Sequence, residues 1–287
     1  MFKKFSNKKN TQLISDEGSW DAVWEQKSTF KKLNFLRKAG YFYISASGLL
    51  SKYINKHIKS DKKYTILEIG CGGSSYLPYL QKRYKNLKIF GLDKSMEGCK
   101  STLFSLKKDT LLGGIVCGDI FKSPFCNKFD IVFSVGLIEH FDEPKLVIEK
   151  HLELLKPGGL LICIIPNFIG FQGSFFKMNV WRKSSRESAY SKDFIWGIKT
   201  IDVSELKSWL ENLHLTKVKV HSIGGFFPFL MMESYNRDIK SVSIKFIYFF
   251  YRIFLFLPII IINIPFIFRL NLLSFSPLII GTGLKRQ

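Results

Sequence analysis

From residue 64 onward the chain alternates short apolar runs with longer stretches in which apolar positions recur every third or fourth residue. Uninterrupted apolar runs of roughly four to eight residues suit strands buried on both faces, and the helical period between them suits helices laid over a parallel sheet. The pattern predicts strands at 64–69 (YTILEI), 87–92 (LKIFGL), 114–117 (GIVC), 129–135 (FDIVFSV) and 160–165 (LLICII), with helices near 75–84, 95–108 and 143–156. The last of these helices ends in LLKPGG, where Pro157 cannot continue it and Gly158 and Gly159 allow the reversal. A further helix opens at DVSE, with Asp202 as cap and Glu205 completing a capping box. The alternating TKVKVHSI then suits a sixth strand and SPLIIGTGLK a seventh. Upstream, residues 18–58 are amphipathic and helical, with Trp20 and Trp24 one turn apart on one face, placed to pack in the core or to cover a ligand. No internal repeat is visible.

The first predicted strand runs into glycines: TILEIGCGGSSYL, residues 65–77. Strand, glycines, then helix is where a ligand meets bare backbone at the carboxyl edge of a sheet. A phosphate-cradling loop needs Lys and Ser or Thr after its last glycine, but Ser74, Ser75 and Tyr76 follow Gly73. A dinucleotide fingerprint fails too, because Ser75 stands where the third glycine belongs after Gly70 and Gly72. S-adenosylmethionine fits better: it has no phosphate, and its sulfonium and ammonium suit a carboxylate such as Glu68.

LEIGCGGS resembles the ExGxGxG motif of class I S-adenosylmethionine-dependent methyltransferases, with Ser74 in place of the third glycine. GDIFKSPF resembles the family's loop after strand 3, and FDIVFSVGLIEHF followed by LLKPGGLLICIIPN resembles its strands 4 and 5. The resemblance implies an α/β fold, a doubly wound, mostly parallel seven-stranded sheet in which strand 7 runs antiparallel between strands 5 and 6. It implies S-adenosyl-L-methionine as cofactor, lined by Glu68, Gly70, Cys71, Gly72, Asp93, Lys94, Asp119, Ile120, Ser134 and Val135. Asp93 would hold the ribose, its other reading being a cap for the helix opening at DKSMEG; Asp119 would face the adenine amino group and Ile120 would pack on the ring.

Methyl transfer is an in-line displacement in which the enzyme mainly positions its reactants. A hydroxyl acceptor also needs a base, and His140, just beyond strand 4, has the right intrinsic basicity, although an EH pair there can equally orient the loop or cap the next helix. Glu139 shares its rim as a second catalytic candidate, and Asn167 is placed to orient the acceptor. The remaining histidines, His57, His151, His214 and His221, fall within helix or strand patterns and carry no expected role. Residues 168–200 form a long excursion after strand 5, placed to build part of the acceptor pocket.

Composition adds the surroundings. Lys and Arg number 43 against 23 Asp and Glu, a formal charge of +20, which favours polyanions or anionic membrane. Nucleic acid is not the expected partner, since no basic and aromatic motif of a known reader occurs. The N-terminus MFKKFSNKKNTQL lacks the apolar stretch of a signal peptide, so a cytoplasmic location is expected. Cys71, Cys99, Cys117, Cys126 and Cys163 form no CxxC pair and are expected to be reduced core thiols, with no metal site.

Many of the 28 Phe crowd toward the C-terminal third. Residues 246–268 read FIYFFYRIFLFLPIIIINIPFIF, too short for two spans and broken by Pro258 and Pro265. An interfacial hairpin with Lys245, Arg252 and Arg269 at the headgroups suits it best, a buried pair in an oligomer being the other choice. The expected organisation is a tail and helical cap at 1–59, a methyltransferase domain at 60–225 and 274–287, and an apolar insertion at 226–273 that overhangs the site. The expected activity is O-methylation of a small or lipid-linked acceptor, a saccharide or quinone precursor, at the inner face of the membrane. The alternatives are a soluble small-molecule methyltransferase with a dimerising apolar segment, or a binding module without turnover.

Overall fold

The computed structural model describes residues 41–107, 111–123, 125–167, 194–195, 198–223 and 278–287. Trp20 and Trp24, nearly all of the excursion at 168–200, and the apolar stretch 246–268 with its insertion at 226–273 lie outside the described residues. In chain order the elements are α1 (Tyr41–His57), β1 (Tyr64–Ile69), α2 (Tyr76–Arg83), β2 (Leu87–Asp93), α3 (Met96–Ser105), β3 (Leu112–Cys117), β4 (Phe129–Val135), α4 (Pro144–Leu154), β5 (Leu155–Pro166), α5 (Val203–Glu211), β6 (Leu215–Ile223) and β7 (Leu278–Lys285). A two-residue antiparallel ladder joins Phe194–Ile195 to Ile198–Lys199 apart from the sheet.

The sheet order is β3-β2-β1-β4-β5-β7-β6. Neighbours from β3 to β5 are parallel, and β7 runs antiparallel to both β5 and β6. Alternate residues of the apolar runs feed two cores. On one face Leu67, Ile69 and Val132 pack with Val147 and Ile148 of α4 and with Leu206 and Leu210 of α5. On the other, Ile66, Ile131 and Phe133 pack with Leu50 and Ile54 of α1 and with Leu77 and Leu80 of α2. Lys285 closes the seventh strand, donating from Nζ to Asn127 Oδ1 at 2.7 Å and to the carbonyls of Leu152 and Leu155 at 2.6 and 2.8 Å.

Five expectations need correction. β5 begins at Leu155, not 160: Leu155 already pairs with Phe129, and the register then slips so that Leu160 pairs with Ile131. The slip is possible because Gly158 adopts φ +75° and because a Cβ on Gly159 would lie 2.9 Å from the Lys156 carbonyl. α4 accordingly stops at Leu154 rather than 156. β3 begins at Leu112 rather than 114, because Gly113 lets the Phe90 ring lie across it where a Cβ would be 2.2 Å from Cζ. His214 belongs to neither helix nor strand but to the turn before β6, at φ +57°. The cysteines are all free thiols, but only Cys71, Cys99 and Cys163 are buried; Cys117, the last residue of β3, and Cys126, in the loop before β4, are exposed.

Candidate active site

The strand order reverses between β1 and β4, which opens a crevice at their carboxyl ends. On one side lies the glycine turn, in which Gly70 has φ +71° and Gly72 φ +37°. A Cβ on Gly70 would stand 2.9 Å from Leu137 Cδ1, so the turn can press against the loop after β4 only because it is bare. Gly70 and Cys71 donate from their amides to the Leu92 carbonyl at 2.8 and 3.3 Å, continuing the sheet into the turn.

Asp93, at the end of β2, ties this turn to the next helix. Its Oδ2 accepts from the Gly72 amide at 2.6 Å and its Oδ1 from the Ser95 amide at 2.8 Å. Ser95, not Asp93, caps α3, accepting from the Gly98 amide at 2.9 Å. Glu68 is buried, and its Oε2 accepts from Ser74 Oγ at 2.5 Å. That hydroxyl in turn accepts from the Tyr76 and Leu77 amides at 3.1 Å each, so Ser74 serves the start of α2 where the motif's glycine could not. Burial raises the Glu68 carboxyl well above its ordinary range; the Ser74 hydrogen bond works against this and the charge of Asp93 with it.

Thr102 escaped the sequence reading. It is fully buried on α3, where its Oγ1 accepts from the Ser74 amide at 2.8 Å and donates toward the Gly72 and Cys71 carbonyls. Its only sequence signal is a hydroxyl on the apolar face of a helix, one turn after Cys99. The isosteric Thr102→Val is expected to destabilise the protein by about 2–3 kcal/mol, because it strands one buried donor and its acceptors; urea midpoints of the two proteins check this.

Across the crevice, Ser134 is buried and Val135 half-buried at the end of β4, and Gly136 turns at φ +68°. The turn Ile138–His140 follows. Glu139 is 2% exposed, burial pushes its carboxyl up to about 8, and its Oε2 has no partner among the described residues. Burial holds the His140 imidazole down at about 4, so it is neutral through the physiological range. Asn167 is buried just beyond β5. At the end of β3, Asp119 Oδ1 accepts from the Phe121 amide at 2.9 Å, Ile120 is buried against the core and Lys94 is exposed. Two clusters thus flank one crevice: Glu68, the glycines and Asp93 after β1 and β2, and Ser134, Glu139, His140 and Asn167 after β4 and β5. Among the described residues no group of His, Cys, Asp and Glu is arranged to hold a metal ion.

Bare peptide with carboxylates, and no lysine in the turn, suits a cationic cofactor without phosphates. A family model described as a methyltransferase domain matches residues 67–163. The ubiquinone biosynthesis O-methyltransferase of Coxiella burnetii (strain Dugway 5J108-111) is 27% identical over 197 residues, which cover 64% of this chain and 79% of that protein. A methyltransferase from Thermotoga maritima, described as a possible histamine N-methyltransferase, shares the fold at TM-score 0.55 and 14% identity, covering 93% of this chain and 100% of that one. So does a Haemonchus contortus phosphoethanolamine N-methyltransferase in complex with S-adenosyl-L-methionine, at TM-score 0.53 and 15% identity, over 82% of this chain and 51% of that one. Sheet order, glycine turn and relatives converge: the chain is an S-adenosylmethionine-dependent methyltransferase with a methyltransferase domain at residues 67–163 and the fold of the class I enzymes, and S-adenosyl-L-methionine is its cofactor.

Proposed function

We propose that the enzyme methylates an oxygen of a small or lipid-linked acceptor, a saccharide or quinone precursor, at the inner surface of the cytoplasmic membrane. The observation that carries this reading is the similarity to a ubiquinone biosynthesis O-methyltransferase over most of that protein's length. The bound cofactor supplies a methyl group on a positively charged sulfur. Gly70, Cys71 and Gly72 present bare peptide to it, Asp93 takes the ribose, Asp119 the adenine amino group and Ile120 the ring face, with Glu68, Lys94, Ser134 and Val135 completing the wall. Glu139 and Asn167 orient the acceptor. His140 would receive the proton of the acceptor hydroxyl whose oxygen the cofactor would methylate.

The membrane part of the proposal draws on topology. Ile223 ends β6 and pairs with Leu278, which opens β7, so the connection holding the apolar insertion at 226–273 leaves and rejoins the sheet at the carboxyl edge. That edge carries the crevice. No helix among the described residues is long and apolar enough to cross a membrane. The exposed Lys62, Lys63, Lys85, Lys88, Lys128 and Arg286 flank the opposite, amino edge, while Lys94 and Lys122 are exposed at the carboxyl edge, so positive charge would favour an anionic surface through the field of the whole protein.

Incubation with methyl-labelled cofactor and separated lipid and water-soluble cell extracts tests the proposal. Label is expected in the lipid fraction; label confined to water-soluble products overturns the lipid acceptor, and cofactor binding without any transfer overturns the enzyme reading. His140→Gln is expected to lower kcat by about 10²–10⁴ without changing cofactor affinity. The acid limb of the wild-type rate profile should fall near the folded value of about 4, not near 6.5.

A further inference from the structure

Three of the five cysteines stand in a row from the cofactor turn to the protein surface. Cys71 is the middle residue of the turn, and its sulfur lies over Gly91 of β2, where a Cβ would be only 2.8 Å away. Cys99 sits on the first turns of α3, its sulfur 3.6 Å from the carbonyls of both Asp93 and Val116. Cys117 ends β3 directly after Val116, pairs in register with Asp93, and places its sulfur 3.5 Å from the Lys94 carbonyl. The Cys99 thiol is within hydrogen-bonding reach of Cys71 on one side and Cys117 on the other. Cys71 is 2% exposed and Cys99 6%, whereas Cys117 is open to solvent. Methyl transfer as derived above uses none of these sulfurs.

We propose that Cys117 and Cys99 are a thiol-oxidation site that closes reversibly to a disulfide and loosens the cofactor turn. The oxidant is a small hydroperoxide, hydrogen peroxide being the simplest. The Cys117 thiolate attacks one peroxide oxygen, the oxygen–oxygen bond breaks, a sulfenic acid forms, and the hydroxide released takes up the proton lost from the thiol to become water. The Cys99 thiolate then attacks the Cys117 sulfur, the sulfur–sulfur bond forms, and hydroxide leaves to take up a proton as a second product water. Two equivalents of an added thiol reverse it. Access and reactivity divide along the row: Cys117 meets the oxidant, while Cys99, whose thiol Cys71 and Cys117 draw below its ordinary range against the opposing pull of burial, is the resolving group. Buried Cys71, held well above that range by its bond to Cys99 and by burial, is spared.

Closure reaches the cofactor because Cys99 lies between the groups that fix the turn. Its sulfur rests on the Asp93 carbonyl, Asp93 holds the Gly72 amide, and Thr102 one turn later on the same helix holds Ser74 and Gly72. Drawing Cys99 toward the sheet edge withdraws it from Cys71 and shifts the first turns of α3. By linkage, a disulfide that weakens cofactor binding must be disfavoured by bound cofactor to the same degree. The consequence for the cofactor rests on its assignment to this turn, whereas the disulfide does not, and the two are read separately below.

The full-length Cys126→Ser protein removes the other exposed thiol. Treated with hydrogen peroxide, it is expected to lose two hydrogen atoms per chain by mass, with peptide mapping joining Cys99 to Cys117. Affinity for S-adenosylhomocysteine should weaken on the order of tenfold, as a coupling of ordinary size, and recover with dithiothreitol. Adding Cys117→Ser should leave the reduced enzyme's activity intact and abolish both changes. Crosslinking of Cys71 to Cys99, or oxidation of Cys117 to sulfinic acid with no crosslink, overturns the proposal. A complete Cys99–Cys117 crosslink with unchanged affinity overturns the coupling and leaves the assignment of the cofactor site untouched if the reduced protein binds normally.

Discussion

Asp93→Ala is expected to weaken cofactor binding by at least about a hundredfold, beyond what an ordinary surface substitution does. The carboxylate accepts from Gly72 at 2.6 Å and from Ser95 at 2.8 Å, so alanine leaves the amides of two buried residues without their acceptor. Each such loss costs about 1–3 kcal/mol, and the glycine turn then loses its tie to the head of α3. The proposed contact to the ribose disappears at the same time. Asp93→Asn separates these contributions. One amide oxygen can still accept from Gly72 or Ser95, but the amide nitrogen faces the other N–H, so an intermediate affinity is expected with most of the fold's stability kept. Calorimetry with S-adenosylhomocysteine, paired with thermal melts, distinguishes lost binding from lost folding. Binding within twofold of wild type in a folded Asp93→Ala protein would remove this residue from the site.

The sheet was legible because strands buried on both faces cannot alternate. YTILEI, FDIVFSV and LLICII are continuous apolar runs, and their order with the glycine turn leaves few topologies. The antiparallel seventh strand came from the resemblance, since nothing in LIIGTGLK reveals its direction. What stayed hidden depends on register or on contacts distant in sequence. The early start of β5 is a slip across Pro157, Gly158 and Gly159 that an apolar pattern does not encode. At the site, Glu68 was recognised as an acid beside a cation, but its bond to Ser74 was not, because a serine in place of a glycine looks like a loss of fit. Thr102 was invisible for the opposite reason: its partners Gly72 and Ser74 lie roughly thirty residues away and are engaged through their backbones.

The second large effect is on stability as pH rises. Glu139, with an ordinary value of 4.5, is pushed up to about 8 in the folded protein, and Glu68 is displaced in the same direction by the same cause. Where the folded protein keeps a proton that the unfolded chain has released, unfolding releases it and stability falls with pH at about 1.4 kcal/mol per unit for each such group. The stabilising share is complete below 4.5 and is lost as pH rises toward the folded value, about 8 for Glu139. His140 and His151 act oppositely: both are held at about 4 against an ordinary 6.5, so the unfolded chain binds their protons first and stability falls as pH drops through that window. Above about 7.5 both imidazoles are neutral in both states, and the buried carboxyls continue to lower stability as pH rises. Urea unfolding of the cofactor-free enzyme should therefore show a loss of roughly 2 kcal/mol between pH 6.5 and 8 from Glu139, and a steeper loss with Glu68 included. Glu139→Gln should remove one proton's worth of that slope, and Glu68→Gln a further part. An unchanged slope in Glu139→Gln would mean that the buried carboxyl is ionised in the folded protein, which requires a cationic partner beside its Oε2 and would recast it from a neutral orienting group to half of an ion pair.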